Sequence, residues 1–234
     1  MPWPHDARLD REELLDLGYG DVSDVAYNLR EMERTNRYLG GYRALTRHLF
    51  PRLAAAGNPA SVVDIGTGGA GLPRLIAEWA RGHKVQVSVL AVDRAGRHLT
   101  VAAASAQPYP EIMLVQADGH CLPLPCRGAD YTISSLLLHH FAPESLKRLL
   151  RASYEASRCG LVMTDLVRGW LPYFAFRLVQ PIFARNFLTR QDGATSIRRA
   201  YKPRELLALA QAAGLHDARV YTHCPWRMTL VVDR

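Results

Sequence analysis

Between residues 62 and 71 the sequence reads Val-Val-Asp-Ile-Gly-Thr-Gly-Gly-Ala-Gly: a short apolar run meets an acid, Asp64, and then breaks into glycines. Glycines at this density let the backbone come close to a ligand. The helix-forming stretch that follows, 72–80, turns its first N–H groups toward the same place. Gly66-x-Gly68-x-x-Gly71 has the spacing of a dinucleotide-binding turn. A second acid, Asp93, closes the β-rich run 85–92, lying 22 residues beyond Gly71 and 27 beyond Gly66. A carboxylate there is placed to accept hydrogen bonds from two ribose hydroxyls at once. A third acid, Asp118, closes the run 112–117, and a fourth run, 130–138, leads into His139-His140-Phe141. An imidazole near its ordinary pKa takes a phenol's proton at neutral pH, so either histidine is a candidate general base.

Alternating strand and helix signals surround these residues and hold them. Helices are expected over 72–80, 99–106, 144–157 and 202–213, the last with Pro203 near its start and Gly214 at its end. Strands are expected at 62–65, 85–92, 112–117, 130–138, 160–167, 218–222 and 228–232, the final two joined by His-Cys-Pro-Trp-Arg. Ahead of them, residues 1–20 read as a partly ordered lead-in. Asp21 and Asp24 offer caps for a helix over 25–39, which Gly40-Gly41 ends before a second helix over 42–56. After the fifth strand, 170–187 is rich in aromatic residues but interrupted by Pro172, Arg177, Pro181 and Arg185, which excludes a membrane span. Tyr173, Phe174, Phe176, Phe183 and Phe187 are candidates for the wall of an apolar pocket. Residues 189–201 are expected to form a mobile loop beside it, with Arg198, Arg199 and Tyr201 available to an anionic or phenolic group.

The chain has 234 residues, enough for one large domain, and its 48% apolar and 22% charged content is that of an ordinary globular protein. Its net charge of +7 rests on 26 arginines and 3 lysines scattered without a basic block, a pattern that speaks against a nucleic-acid partner. The four cysteines form no CxxC pair and no zinc-finger spacing with histidine, so no metal is expected. With no leader-like or membrane-spanning segment in the sequence, the expected location is the cytoplasm. Shallow membrane contact of 170–187 remains open as a way to collect a lipophilic substrate.

The ordered acids, glycine turn and terminal strand pair together resemble the class I S-adenosylmethionine-dependent methyltransferases, whose first motif runs acid-x-Gly-x-Gly-x-Gly. Asp64, Gly66 and Gly68 match it, and Ala70 stands at the third glycine position. The resemblance covers roughly residues 60–234 and implies a doubly wound seven-stranded α/β sheet, the last strand antiparallel, with S-adenosyl-L-methionine as cofactor. It implies that Asp64 faces the methionine amino group, Asp93 the ribose, and Asp118 with the N–H of Gly119 the adenine. The full cofactor set is then Asp64, Gly66, Thr67, Gly68, Asp93, Arg94, Ala117, Asp118, Gly119 and Ser135. Arg34 and Asn36, on a helical cap over 1–57, are in reach of the methionine carboxylate. The domain proper is expected over 58–234, with 168–201 as an inserted lid. His139 and His140 become the candidate catalytic residues, and Tyr173, Phe176 and Tyr201 the candidate substrate contacts.

The expected activity is methyl transfer to a small phenolic or quinol-type acceptor, at oxygen, in secondary metabolism. The alternatives are carbon methylation of the quinone type, RNA methylation, NAD-dependent oxidoreduction, and a non-catalytic partner protein that kept the cofactor fold.

Overall fold

The computed structural model describes residues 7–57 and 59–234, with the side chain of Phe183 also left aside. The first six residues of the expected lead-in, Asn58 at the expected domain boundary, and the Phe183 pocket contact therefore lie outside the described residues. Within them the chain forms seven strands and eight α-helices. Two helices come first, α1 (Val22–Tyr38) and α2 (Gly41–Ala55). Asp21 caps α1 by accepting from the N–H groups of Ser23 and Asp24, while the Asp24 side chain accepts from the N–H of Asp21. Gly40, left-handed at φ 77°, ends the helix where a side chain would meet the carbonyl of Cys224.

Strand and helix then alternate: β1 (Ala60–Ile65), α3 (Gly71–His83), β2 (Val87–Asp93), α4 (Gly96–Ala106), β3 (Ile112–Gln116), β4 (Ala129–Ser135), α5 (Pro143–Ala156) and β5 (Ser157–Leu166). The remaining elements are α6 (Trp170–Phe183), α7 (Phe187–Arg199), α8 (Pro203–Ala212), β6 (Arg219–His223) and β7 (Arg227–Asp233). All seven strands share one sheet in the order β3-β2-β1-β4-β5-β7-β6, with β7 antiparallel to both neighbours and the other pairs parallel.

Both faces of this sheet are covered, which is why its central strands read as nearly unbroken apolar runs. Alternate residues feed two cores. Val63, Ile65, Leu161, Met163, Leu230 and Val232 pack toward α5 and α8. Val62, Ile133, Val162 and Val231 pack toward α2 and α3. Strand order reverses between β1 and β4, so the carboxyl ends of those two strands open a crevice in which such sheets bind ligands.

Two sequence expectations change. The fourth strand stops at Ser135, and Leu138–His140 form a 3-10 turn that carries the histidine pair out of the sheet. The segment 189–201, expected as a mobile loop, is mostly the helix α7, capped by the Asn186 side chain. Gly193 lies inside α7, where a Cβ would overlap the Phe176 ring of α6. It marks a close helix crossing.

Candidate active site

The glycine turn forms the floor of one cleft. Gly66 (φ 73°) and Gly68 (φ 55°) are left-handed, and the N–H groups of Gly66 and Thr67 both donate to the carbonyl of Val92. Ala70, standing where the family motif has glycine, takes the same left-handed backbone at φ 59°, so the turn keeps its shape despite the methyl group. Asp64, Gly66, Thr67, Gly68, Gly69, Gly71, Leu72, Ser135 and Leu136 line this cleft from the sheet side, and Leu29, Met32, Glu33, Asn36 and Tyr42 line it from the cap. The cap sits down tightly. A Cβ on Gly66 would come 2.7 Å from Leu137, one on Gly68 would come 3.2 Å from Leu29, and the free volume is about 60 Å³.

The three strand-end acids differ in their surroundings. Asp64 is buried at the carboxyl end of β1, and burial, with the charge of Asp93 adding to it, pushes its carboxyl up to about 7. An acid so placed favours a cationic neighbour, and an amino group is one. Burial would also raise Asp93, but His98 (3.2 Å) and the N–H groups of Ala95 and Gly68 (both 2.9 Å) hold it below its ordinary value. Asp93 therefore pins the glycine turn through the Gly68 N–H. Asp118 is half-exposed and accepts from the His120 N–H and from His120 Nδ1, which together lower its pKa. Ala117 and Gly119 flank it, and a Cβ on Gly119 would press on Ile65 at 2.7 Å. Arg94 is exposed at the end of β2. Arg34 is exposed too, whereas Asn36 is buried in the cleft wall.

These residues suit S-adenosylmethionine. Three buried side-chain oxygens that line the cleft, Asn36 Oδ1, Thr67 Oγ1 and Ser135 Oγ, have no hydrogen-bond partner among the described residues, and Asp64 is a buried acid beside them. Asn36 Oδ1 lies against Gly41, where any side chain would displace it.

A second cavity, of about 220 Å³, opens beyond the end of β4. Its apolar wall includes Leu15, Met32, Leu166, Phe176, Val179 and Trp226. Met32 and Leu136 line both spaces, so they form the partition between them. Leu136 is held in a left-handed backbone (φ 58°), a strained conformation for a leucine, placed where the two spaces meet.

Both candidate catalytic histidines reach this second cavity. His139 is buried. Its N–H and its Nδ1 both donate to Asp165 at the end of β5 (2.8 and 2.7 Å), and its Nε2 lies 3.4 Å from Glu13. Burial alone would lower its pKa, but Asp165 and Glu13 more than offset this and push it up to about 10. His140 Nδ1 donates to Asp16 (2.7 Å). Arg227, 3% exposed at the start of β7, also lines the cavity, and its Nη1 has no partner among the described residues.

Of the three aromatic candidates, the structure brings only Phe176 to the cavity wall. Tyr201 is buried in the main core, donates its hydroxyl to the carbonyl of Phe141 (2.7 Å), and carries the Arg8 guanidinium over its ring. Tyr173 stacks edge-on against Phe174, which is itself exposed. Trp170, Leu178 and Ile182 are likewise exposed on α6, so only part of the expected aromatic wall faces inward. Glu13, Asp16, Asp165 and Arg227 are site residues that sequence reasoning passed over. Glu13 and Asp16 lie in a charged lead-in with the spacing of an ordinary solvated segment. Asp165 lies at the end of a strand, as Asp64, Asp93 and Asp118 do, and that was the available signal.

Residues 62–160 match a family described as "Methyltransferase domain". Among solved structures, the fold is shared with a SAM-dependent methyltransferase from Aquifex aeolicus at 14% identity, covering 92% of this chain and 99% of that one (TM-score 0.64). It is shared with human N-acetylserotonin methyltransferase in complex with SAM at 16% identity, covering 97% of this chain and 60% of that one (TM-score 0.68). A putative S-adenosyl-L-methionine-dependent methyltransferase from Methanococcus maripaludis aligns at 13% identity over 97% of each chain (TM-score 0.60). No curated protein matches the sequence. The fold is that of the class I S-adenosylmethionine-dependent methyltransferases, and the segment that matches the methyltransferase family holds the glycine turn and all three strand-end acids. The match is confined to residues 62–160, and the cap, the α6–α7 pair and the terminal hairpin lie outside it.

Proposed function

We propose that this methyltransferase acts on a small acceptor with an apolar, aromatic or quinol-type body, and that the methyl group goes to one of its oxygens. The carrying observation is the shared partition: the cleft beside the glycine turn and the lid cavity meet at Met32 and Leu136. When bound, the cofactor supplies a methyl group made electrophilic by a sulfonium, so the chain's own work is positioning, water exclusion and proton handling. A cavity of about 220 Å³ falls below the ~300–1,000 Å³ of drug-sized sites, which favours an acceptor of one or two rings. Its polar groups gather on one side, with Arg227 suited to an oxyanion or carbonyl and the Glu13–His139–His140 cluster to an exchangeable proton. His139, held as an imidazolium near neutral pH, suits the role of electrostatic partner to a developing phenolate, which leaves His140 as the candidate base. We assign residues 7–57 to the cap and 168–201 to the lid on the same grounds, since both contribute to the cavity wall.

Several arginines are paired within the chain. Arg52 pairs with Asp233, Arg74 with Glu33, Arg81 with Glu111 and Arg168 with Glu205, which favours a small-molecule over a nucleic-acid acceptor. Among the described residues no helix is long and apolar enough to cross a membrane. The test is incubation with S-adenosylmethionine and a panel of phenols and hydroquinones, with mass spectrometry of the products. Methyl ethers from the panel are expected, with Arg227→Met raising KM at least tenfold for the acidic members. Ring-methylated products would move the reaction to carbon, and methylation of RNA with none of the panel would overturn the reading.

A further inference from the structure

Glu13, His139 and His140 meet at the polar end of the lid cavity in an arrangement that proton transfer alone does not require. A carboxylate can only accept, so Asp165 fixes a proton on Nδ1 of His139 and Asp16 fixes one on Nδ1 of His140, each at 2.7 Å. Arg199 lies 3.7 Å from Asp16 and donates to the carbonyl of His140, holding that second carboxylate in place. With both Nδ1 atoms committed, both Nε2 atoms are left for Glu13, at 3.4 Å from His139 and 3.9 Å from His140. The three donor atoms all lie within 4.8 Å of one another. An ion-pair staple needs one carboxylate for each imidazole. Here each imidazole has its own at Nδ1, and a further buried carboxylate is shared between the Nε2 atoms.

We propose that Nε2 of His139, Nε2 of His140 and the Glu13 carboxylate form a site for one divalent first-row transition-metal ion. Carboxylates behind the imidazoles fix the tautomer and raise ligand basicity, as the outer partners of metal-bound histidines do. Two nitrogens and one oxygen select zinc, iron, cobalt or nickel over magnesium and calcium, which prefer all-oxygen shells. Metal–ligand distances of ~2.0–2.2 Å put neighbouring donors ~3–3.5 Å apart, so the His139–Glu13 pair at 3.4 Å is already at that spacing and His140, 3.9 Å from Glu13, has to move inward. All three ligands line the cavity, which gives the ion its entry path and leaves its open positions on the acceptor side. Resting on the reading of that cavity as the acceptor site, an oxygen of the acceptor completes the shell.

The test uses the full chain, stripped with a chelator and titrated with Co2+, followed by visible absorption and by calorimetry. One equivalent should bind and develop ligand-field bands. Glu13→Gln and His140→Ala should weaken binding at least a hundredfold, and Asp16→Asn, which removes only the outer partner, ~10–100-fold. Calorimetry of S-adenosylhomocysteine on every variant controls for folding. If the wild type gives no bands and the same heats as His140→Ala while S-adenosylhomocysteine binds, the cluster is an ion-pair network and the proposal fails. If cobalt binds and S-adenosylhomocysteine does not, the metal site stands and the cofactor cleft is what has been misread.

Discussion

Asp64 sits at the carboxyl end of β1 with its ionisation displaced to about 7 by burial. Because this folded-state value lies above that of an unfolded carboxyl, ionising Asp64 costs stability as pH rises from about 4 through 7. A cationic amino group would return that cost, so S-adenosylhomocysteine should bind more tightly as pH rises toward 7 and level off above it. Affinity near pH 6 should be several-fold lower than at pH 8 by calorimetry. Asp64→Asn should bind weakly with no such slope, and a flat profile in the wild type would remove the amino-group assignment. Asp64, Asp93 and Asp118 were legible in the sequence because each ends an apolar run and strand ends are marked by composition. The partners that set their chemistry were not. His98 on Asp93 and His120 on Asp118 are local, but Glu13 comes to His139 from 126 positions away in the chain, and no periodicity records so distant a contact.

At the scale of elements, both expected histidines and the seven strands fall close to where the apolar runs put them, with ends shifted by a few residues. The largest departure is 189–201, expected as a mobile loop and found mostly as the helix α7. Tertiary contact decides the matter: the Asp192 carboxylate accepts from the N–H groups of Leu14 and Leu15, and Gly193 admits the Phe176 ring. Gly193→Ala therefore sets two effects against each other. Helix propensity favours alanine by ~1 kcal/mol, while overpacking the crossing costs ~1–3 kcal/mol. The crossing should win, so thermal unfolding should show a net loss of stability, and adding Phe176→Leu should restore it. A Gly193→Ala protein more stable than the wild type would mean that α6 and α7 do not cross so closely.

For the whole molecule, the two ligand spaces draw on different parts of the chain. None of residues 7–20 lines the cleft beside the glycine turn, whereas Glu13 and Leu15 line the lid cavity. A protein beginning at residue 21 should keep S-adenosylhomocysteine affinity within about threefold by calorimetry and lose at least a hundredfold in turnover, since Glu13 and Asp16 go with the segment. Equal loss of both would show that the lead-in supports the cofactor too. On the proposed reading, the partition at Met32 and Leu136 separates a donor half, lined by strand ends of the matched segment and by α1, from an acceptor half lined by the lead-in, the other side of α1, the α6–α7 pair and the β6–β7 turn. Such a seam makes the protein modular in descent. Substitutions in the lead-in and the lid can retarget the chain to a new acceptor while the machinery for the common methyl donor is inherited unaltered.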